Sequence, residues 1–227
     1  MKVAIHQPNF FPYPGFFHKL TLADTFVIMD NTQYDKKFTN RNKIVLPNNW
    51  TWFQVPINKN HKFSVNSLVE INNNISWKNK HLKMLHHSYS NSKYYQIIEP
   101  LFQNLYSKDW KMLFDLTYES LKQTLNFLNI KIKILKESEL NISGKSSERL
   151  INICKNIGAD VYVSGIGGKN YMDEKLFAKN NVNIEYQNYS SIVYEQHQTT
   201  KFIPDLSIID LLFNLGRDSL KAITKES

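Results

Sequence analysis

The order of elements in the first thirty residues constrains the fold more than any other feature of this chain. The apolar run Lys2–His6 reads as a buried strand, and a loop with three prolines follows it. Residues 16–22 then predict a short helix, and residues 25–30 predict a second buried strand that ends in a carboxylate. Strand, loop, helix and strand in this order predict a βαβ unit, whose parallel strands expose their carboxyl ends to a ligand crevice.

The middle of the chain predicts a hairpin followed by helices. Residues 39–57 hold two β-rich runs around a Pro-Asn-Asn turn, and residues 64–71 read as a further strand. A stripe of leucines at helical spacing makes residues 77–130 mainly helical.

The second half returns to alternating strands and helices. We expect a strand at 130–135, a helix that is capped by Ser146 or Ser147 and ends at Gly158, and a strand at 159–165. The predicted fold is therefore α/β, with a Rossmann-like, mostly parallel sheet flanked by helices. It carries a β-hairpin insertion near residues 40–71 and a helical segment near 77–130, within one domain that spans residues 1–227.

Composition narrows the classes of protein that fit. Hydrophobic residues make up 42% of the chain and charged residues 21%, which is enough apolar material for a core. The net charge of +8 favours anionic ligands, but no block of five basic residues and no nucleic-acid-binding motif occurs, so nucleic acid is not an expected partner. Cys154 lies among apolar residues and is expected to be a small buried hydrophobe.

Neither a leader peptide nor a membrane span is predicted. The chain turns polar at His6, too early for the apolar segment of a signal peptide, and no run of 18 apolar residues follows. We therefore expect a cytoplasmic protein. The chain has no paired cysteines and no convincing His-x-x-x-His helix, so no metal is expected, and no cofactor is predicted.

The first candidate constellation lies in the proline-rich loop. His6 can act as an acid or a base near neutral pH, and Gln7 and Asn9 supply amide donors and acceptors. Gly15 permits close backbone approach, and Phe16 follows it at the start of the helix. A core histidine at a strand end is the alternative interpretation of His6.

The second constellation follows the second strand. Asp30 could serve as a base or hold a substrate amine or hydroxyl, and Gln33 lies just beyond it. Arg41 and Lys43, with Asn42 between them, open the hairpin, and a spacing of two puts both cations on one face. Arg41 can bind a phosphate through two nitrogens, although a structural Asp–Arg pair is the alternative.

Two further constellations lie in the second half. Glycines after the strand at 159–165 are typical of phosphate-binding backbone, although a plain tight turn fits equally well. The candidate residues there are Ser164, Gly165, Gly167, Gly168 and Tyr171. Tyr194 and Gln196 are candidates in a polar segment before the last helix, which Ser207 is expected to cap and where Asp210 favours the helix dipole.

Several of these runs together resemble the WbqC-like proteins. Residues 5–19, Ile-His-Gln-Pro-Asn-Phe-Phe-Pro-Tyr-Pro-Gly-Phe-Phe-His-Lys, resemble the hallmark of that family. Residues 40–44 with 55–56, residues 158–168 and residues 207–214 resemble it in the same order. Tyr13 and Pro14 depart from the pattern, since a Trp and a small or aliphatic residue are expected there.

The resemblance implies a role in bacterial surface polysaccharide biosynthesis, such as that of O-antigen. It implies transfer of an aminoacyl group, for example glycyl, to the amine of a nucleotide-linked amino-deoxy sugar. The expected partners are therefore a nucleotide-sugar and an acidic carrier protein loaded with the amino acid. We predict that His6 is the base assisted by Asp30, and that Arg41, Lys43 and the glycine turn hold the diphosphate.

Two other classes of function remain open at this stage. A nucleotidyl-transfer enzyme with a histidine motif after the first strand is one, although His6 and His18 are too far apart for the usual spacing. A module that binds a sugar or a carrier without catalysis is the other.

Overall fold

The computed structural model describes residues 1–59 and 64–225, and its architecture confirms the predicted α/β fold. The strands are β1 (Lys2–His6), β2 (Thr25–Ile28), β3 (Arg41–Leu46), β4 (Asn49–Gln54), β5 (Lys133–Lys136), β6 (Val161–Ser164) and β7 (Asn183–Tyr186). The helices are α1 (Pro14–Thr21), α2 (Trp77–Tyr89), α3 (Tyr95–Ser107), α4 (Leu113–Leu128), α5 (Ser146–Asn156), α6 (Glu174–Lys179), α7 (Ile208–Leu215) and α8 (Ser219–Thr224).

The main sheet is parallel, and the first strand of the chain, β1, lies at its centre. Its order is β5-β2-β1-β6-β7, and every pair of neighbours in it is parallel. The chain runs outward from β1 through β2 to β5, and then returns through α5 to β6 on the other side of β1. The strand order therefore reverses between β1 and β6, which is where open α/β sheets bind their ligands.

The two faces of the sheet bury separate apolar cores. Along β1, Val3 and Ile5 point to the face covered by α5 and α6, while Ala4 points to the opposite face. That opposite face packs on α1, on α2 to α4 and on the C-terminal helices. Cys154 is fully buried between α5 and the sheet, as predicted, and burial raises the pKa of its thiol to about 12.

The hairpin follows the prediction, but the segment after it does not. β3 and β4 pair antiparallel around the predicted turn, and the register puts Arg41 and Lys43 on the same face. The strand expected at 64–71 is a single 3-10 turn, Asn66–Leu68, with isolated bridges on either side of it. Residues 60–63, which the predicted insertion includes, lie outside the described part of the chain.

Two helix ends match the predicted signals and one does not. Gly158 has a φ of +71° just after α5, and the Ser207 hydroxyl accepts a hydrogen bond from the Ile209 N–H at the start of α7. Neither Ser146 nor Ser147 caps α5, because Lys145 occupies the cap and the Ser147 hydroxyl accepts the Asp173 N–H instead. Within the described ranges, none of the helices combines the length and apolar character that crossing a bilayer requires.

Candidate active site

A cavity of about 700 Å³ opens at the carboxyl edge of the sheet, where β1 and β6 diverge. Its walls come from the ends of these two strands, the loop after β1, helix α1, the segment after β2 and the first turn of α5. This is the place that the sheet topology favours for a ligand. The volume is within the range of small-molecule sites in proteins.

The loop after β1 forms one wall and is fixed by hydrogen bonds from distant parts of the chain. The Phe11 carbonyl accepts hydrogen bonds from the Asn42 amide (2.9 Å) and the Ser207 hydroxyl (2.7 Å). The Pro12 carbonyl accepts the Ile208 N–H at 2.8 Å. Phe11 itself has a φ of +42°, a conformation that a bulky residue adopts only when its surroundings impose it. The loop is therefore held in one shape before any ligand binds.

His6 faces this cavity from the end of β1 as a neutral imidazole. Its Nδ1 lies 2.9 Å from the Gln7 carbonyl, and since a carbonyl oxygen can only accept, Nδ1 carries the proton. Nε2 is left with a lone pair, and among the described residues it has no hydrogen-bond partner. Burial lowers the pKa of His6 to about 3, and the nearby charge of Lys19 adds to the effect. The ring also packs edge-on against Phe16 at 5.2 Å between centroids.

Lys19 lines the same cavity from α1 and is only 4% exposed. Its Nζ donates to the Ile5 carbonyl at 3.3 Å and lies 5.9 Å from the centre of the Phe16 ring. It forms no salt bridge with any carboxylate of the described residues. Burial lowers the pKa of the Lys19 ammonium to about 7. The cavity therefore contains an amine that exchanges its proton near neutral pH.

Arg149 supplies a permanent positive charge from the first turn of α5. Its Nε forms a salt bridge with Glu137, whose side chain is 1% exposed, and its Nη1 donates to the Gly144 carbonyl. These two partners fix the guanidinium, while the Arg149 side chain keeps 20% of its surface exposed and lines the cavity. Such a held guanidinium with free N–H groups is suited to a phosphate or a carboxylate.

The glycine turn after β6 is a tight turn, and it also forms the cavity wall opposite the loop after β1. Residues Ile166–Asn170 make a 3-10 turn in which the Gly168 N–H donates to the Gly165 carbonyl. A side chain at Gly168 would lie 2.3 Å from the Ser164 hydroxyl, whereas one at Gly167 would meet nothing within 4 Å. Only Gly168 is therefore required by packing, and Gly167 leaves its backbone open to a ligand.

The structure brings nine of the predicted site residues to this cavity. They are His6, Gln7, Asn9, Phe16, Ser164, Gly165, Gly167, Gly168 and Tyr171. The other eight do not belong to its described lining. They are Gly15, Asp30, Gln33, Arg41, Asn42, Lys43, Tyr194 and Gln196.

Asp30 does not face His6, contrary to the expectation that both close the same crevice. Its carboxylate is 3% exposed and accepts hydrogen bonds from the N–H (2.9 Å) and hydroxyl (2.6 Å) of Ser138. These bonds tie the end of β2 to the turn after β5. The side chain thus joins two strand ends, and no direct contact with His6 assists a proton transfer.

Arg41 and Lys43 lie on the outer face of the hairpin and not around a diphosphate in the cavity. Arg41 packs over the Trp52 ring at 4.2 Å and Lys43 over the Trp50 ring at 4.6 Å. Among the described residues Arg41 forms no salt bridge with an aspartate either, and its Nε donates to the Lys37 carbonyl. Asn42 points the other way and braces the Phe11 carbonyl.

The remaining predicted residues have structural partners. Gly15 is needed because a side chain there would lie 2.4 Å from Tyr13 and 2.8 Å from Tyr189. The Tyr194 hydroxyl donates to Asp210, and Gln196 forms two hydrogen bonds with the backbone of Ile203. Gln33 pairs with Val65 in an isolated antiparallel bridge.

Among the lining residues that are absent from the sequence-based candidates are Lys19, Arg149 and Gln187. Lys19 and Arg149 read in the sequence as solvent-facing cations of amphipathic helices, and they are distinguished only by the burial of Lys19 and the partial burial of Arg149. Gln187 follows β7, is 5% exposed, and donates to the Gly15 carbonyl at 3.1 Å. One signal was available for Lys19, since it ends the run that resembles the family hallmark.

Comparison of the sequence with known proteins identifies the family to which this chain belongs. The sequence profile of the WbqC-like protein family matches residues 7–222, which is nearly the whole chain and includes the loop after β1, the glycine turn after β6 and α7. The chain belongs to the WbqC-like protein family. Membership suggests a role associated with polysaccharide biosynthesis.

One relative of this chain is the uncharacterized protein Rv1507c of Mycobacterium tuberculosis (strain ATCC 25618 / H37Rv). It is 27% identical over 220 residues, which cover 96% of this chain and 95% of the relative. The two proteins are thus similar from end to end. No solved structure is detectably similar to this chain.

Proposed function

We propose that this WbqC-like protein transfers an aminoacyl group from an activated donor to the amine of a nucleotide-linked amino-deoxy sugar. One observation carries the proposal. A neutral imidazole, fixed in one tautomer by the Gln7 carbonyl, presents a free Nε2 to a cavity that also holds a cation suited to phosphate. A base beside an anion site fits a substrate that carries a nucleophile at one end and a diphosphate at the other.

In this reaction His6 moves the proton of the attacking amine. The sugar nitrogen attacks the acyl carbon, a C–N bond forms, and the bond from the acyl carbon to the leaving group breaks. Nε2 of His6 accepts a proton from the nitrogen of the tetrahedral adduct and passes it to the leaving group. The amides of Gln7 and Asn9 line the same wall, where they can donate to the acyl oxygen or to sugar hydroxyls.

The diphosphate would lie against Arg149. The guanidinium is fixed by Glu137 and by the Gly144 carbonyl, so little side-chain freedom is lost when an anion binds. Lys37 lines the cavity as a second cation, and the open backbone at Gly165 and Gly167 allows close approach of phosphate oxygens. This arrangement replaces the diphosphate site that the sequence predicted at Arg41 and Lys43.

The outer face of the hairpin fits an acidic carrier protein that delivers the aminoacyl group. This hairpin face consists of Arg41, Lys43, Trp50 and Trp52, with each cation over an indole ring. It reaches the cavity through Phe38, which lines the cavity, is 42% exposed and lies 6.3 Å from Trp52. The net charge of +8 and the two cations of the face favour an acidic partner.

The test is a transfer assay with nucleotide-linked amino-sugars and aminoacyl donors, in which the mass of the product is measured. We expect the wild-type protein to form the amide and His6→Ala to lower kcat about a hundredfold or more, since it removes a proton-transfer group. His86→Ala is the matched control, because His86 is an exposed histidine on α2 away from the cavity. Equal rates for His6→Ala and the wild type would remove His6 from the mechanism.

The same assay separates the other two classes of function. Consumption of ATP with release of pyrophosphate, and no amide product, would identify a nucleotidyl transferase. Tight binding of a carrier without turnover of any donor would identify a binding module.

A further inference from the structure

We propose that Lys19 is the group that removes the first proton from the sugar ammonium and so makes the nitrogen nucleophilic. This inference rests on the proposed function and adds a second catalytic group to the same cavity. The reason is that His6 alone is poorly suited to deprotonate the sugar ammonium. At neutral pH an amino-sugar arrives largely as an ammonium ion, which cannot attack a carbonyl, and two protons must leave the nitrogen before the amide is formed.

His6 is poorly suited to take the first of these protons. An ammonium ion beside electron-withdrawing oxygens has a pKa comparable to that of an α-amino group, about 8. Burial lowers the pKa of His6 to about 3, so proton transfer from the ammonium to this imidazole is strongly uphill. His6 is better suited to the second proton, which leaves the more acidic nitrogen of the tetrahedral adduct.

Lys19 has the position and the surroundings for the first proton. Lys19 lines the cavity, and its Nζ lies 5.9 Å from the centre of the Phe16 ring that also contacts His6. Within the described part of the chain, the Nζ is held by one hydrogen bond, to the Ile5 carbonyl. A buried ammonium without a carboxylate partner is costly, and the neutral amine, which has a lone pair, is favoured in its place. The lowered pKa of about 7 agrees with this environment.

The other charged groups of the cavity do not offer an equivalent acceptor for the first proton. Besides His6, the charged side chains that line it are Asp35, Lys37 and Arg149, and the first two are exposed. Arg149 is a guanidinium, and a guanidinium has hydrogen-bond donors but no acceptor, so it does not take the proton. The proton balance is complete with the two proposed groups: Lys19 takes the first proton and returns it to solvent, and His6 carries the second to the leaving group.

The kinetic test compares Lys19→Met and Lys19→Arg with the wild type between about pH 6.5 and pH 9. At the lower pH we expect both variants to lose at least about tenfold in kcat, because neither side chain accepts a proton there and only about 3% of the sugar amine is neutral without help. At the higher pH the sugar amine is already neutral, so the loss should shrink to about threefold. Lys83→Met, at an exposed lysine of α2, is the control and should keep wild-type rates.

A structural or purely electrostatic role of Lys19 predicts other results. If Lys19 only held the Ile5 carbonyl or attracted an anion, Lys19→Arg would retain activity, and the loss in Lys19→Met would not depend on pH. Either result would overturn the inference. Because Met replaces an amine that has no countercharge, we expect the thermal unfolding temperature of Lys19→Met not to fall below that of the wild type.

A second measurement does not depend on the reaction. In protein with isotope-labelled lysines, the NMR signal that disappears in Lys19→Arg should titrate near pH 7, whereas exposed lysines titrate near about 10.4. A Lys19 signal that titrates with the exposed lysines would overturn the inference even if aminoacyl transfer is found. A signal that titrates near neutrality in a protein that transfers no aminoacyl group would support the neutral amine and count against the proposed function alone.

Discussion

His6 and Asp30 follow neighbouring parallel strands, but only the imidazole faces the cavity. His6 lies opposite Ile28 in the register, so Asp30 comes two residues beyond the last paired position of β2. There the Asp30 N–H donates to the Ile28 carbonyl and the chain turns away. Its carboxylate meets Ser138 of the next strand end, whose N–H and hydroxyl satisfy both oxygens. The residue connects two loops of the sheet edge.

This connection predicts that Asp30→Ala reduces stability rather than turnover. The substitution removes a buried carboxylate that accepts two hydrogen bonds from Ser138, and hydrogen bonds to a charged group are worth about 1.5–3 kcal/mol, so we expect the free energy of unfolding to fall by about 2–3 kcal/mol. Urea denaturation measures the loss, and kcat at a temperature where the variant is folded should stay within about threefold of the wild type. Ser138→Ala is the control and should cost less, since it keeps the backbone bond. A fall in kcat as large as that of His6→Ala, without a loss of stability, would make Asp30 catalytic.

At the scale of elements, the sequence predicts what is local and misses what depends on long-range packing. The βαβ unit, the hairpin and the cap at Ser207 follow from apolar periodicity and turn residues within short windows. The role of Asn42 could not be predicted in this way, because its partner, the Phe11 carbonyl, is 31 residues distant. The sequence does not single out Lys19 and Arg149 for a related reason. Their positions are those of ordinary helix cations, and only the packing of α1 and α5 buries Lys19 and partly buries Arg149. The elements α6 and β7 are short, and no pattern in the sequence singled them out.

The hairpin face gives the prediction that belongs to this scale. We expect the double variant Arg41→Glu/Lys43→Glu to raise KM for a carrier-bound donor at least about tenfold, because two attractive charges become repulsive. The kcat measured with a small, carrier-free donor should not change, since neither residue lines the cavity. The same charge change at Lys131 and Lys133, near the edge strand β5, is the control. An equal effect of both double variants would show that net charge matters and that the hairpin face does not.

At the scale of the whole molecule, buried ionisable groups set the response of stability to pH. His81 is 1% exposed, with Nε2 2.9 Å from the Gln54 carbonyl and Nδ1 2.9 Å from the Tyr106 hydroxyl. Burial lowers the pKa of His81 to about 3, as it does that of His6. Asp210 has the opposite sign: burial raises the pKa of its carboxyl to about 6, although the Tyr89 and Tyr194 hydroxyls donate to it.

These shifts predict a net loss of stability on mild acidification. Below about pH 6.5 the unfolded chain protonates His6 and His81 while the folded chain does not, so each costs about 2 kcal/mol of stability by about pH 5. Asp210 has the opposite effect between about pH 6 and pH 4, because the folded state takes up its proton at a higher pH than the unfolded state does. By about pH 5 this proton uptake adds about 1.4 kcal/mol to the free energy of unfolding. We therefore expect the free energy of unfolding to fall by about 3 kcal/mol over this range.

Single substitutions separate the two opposing contributions. His81→Gln keeps an amide that can donate to the Gln54 carbonyl but does not titrate, so the loss on acidification should shrink to about 1 kcal/mol. Asp210→Asn removes the compensating proton uptake, so the loss should grow to about 4 kcal/mol. Urea unfolding at several pH values measures both slopes, and only the slopes matter, because either variant can change the stability at neutral pH. A wild-type slope that neither substitution alters would mean that both groups titrate at their ordinary pKa values in the folded protein.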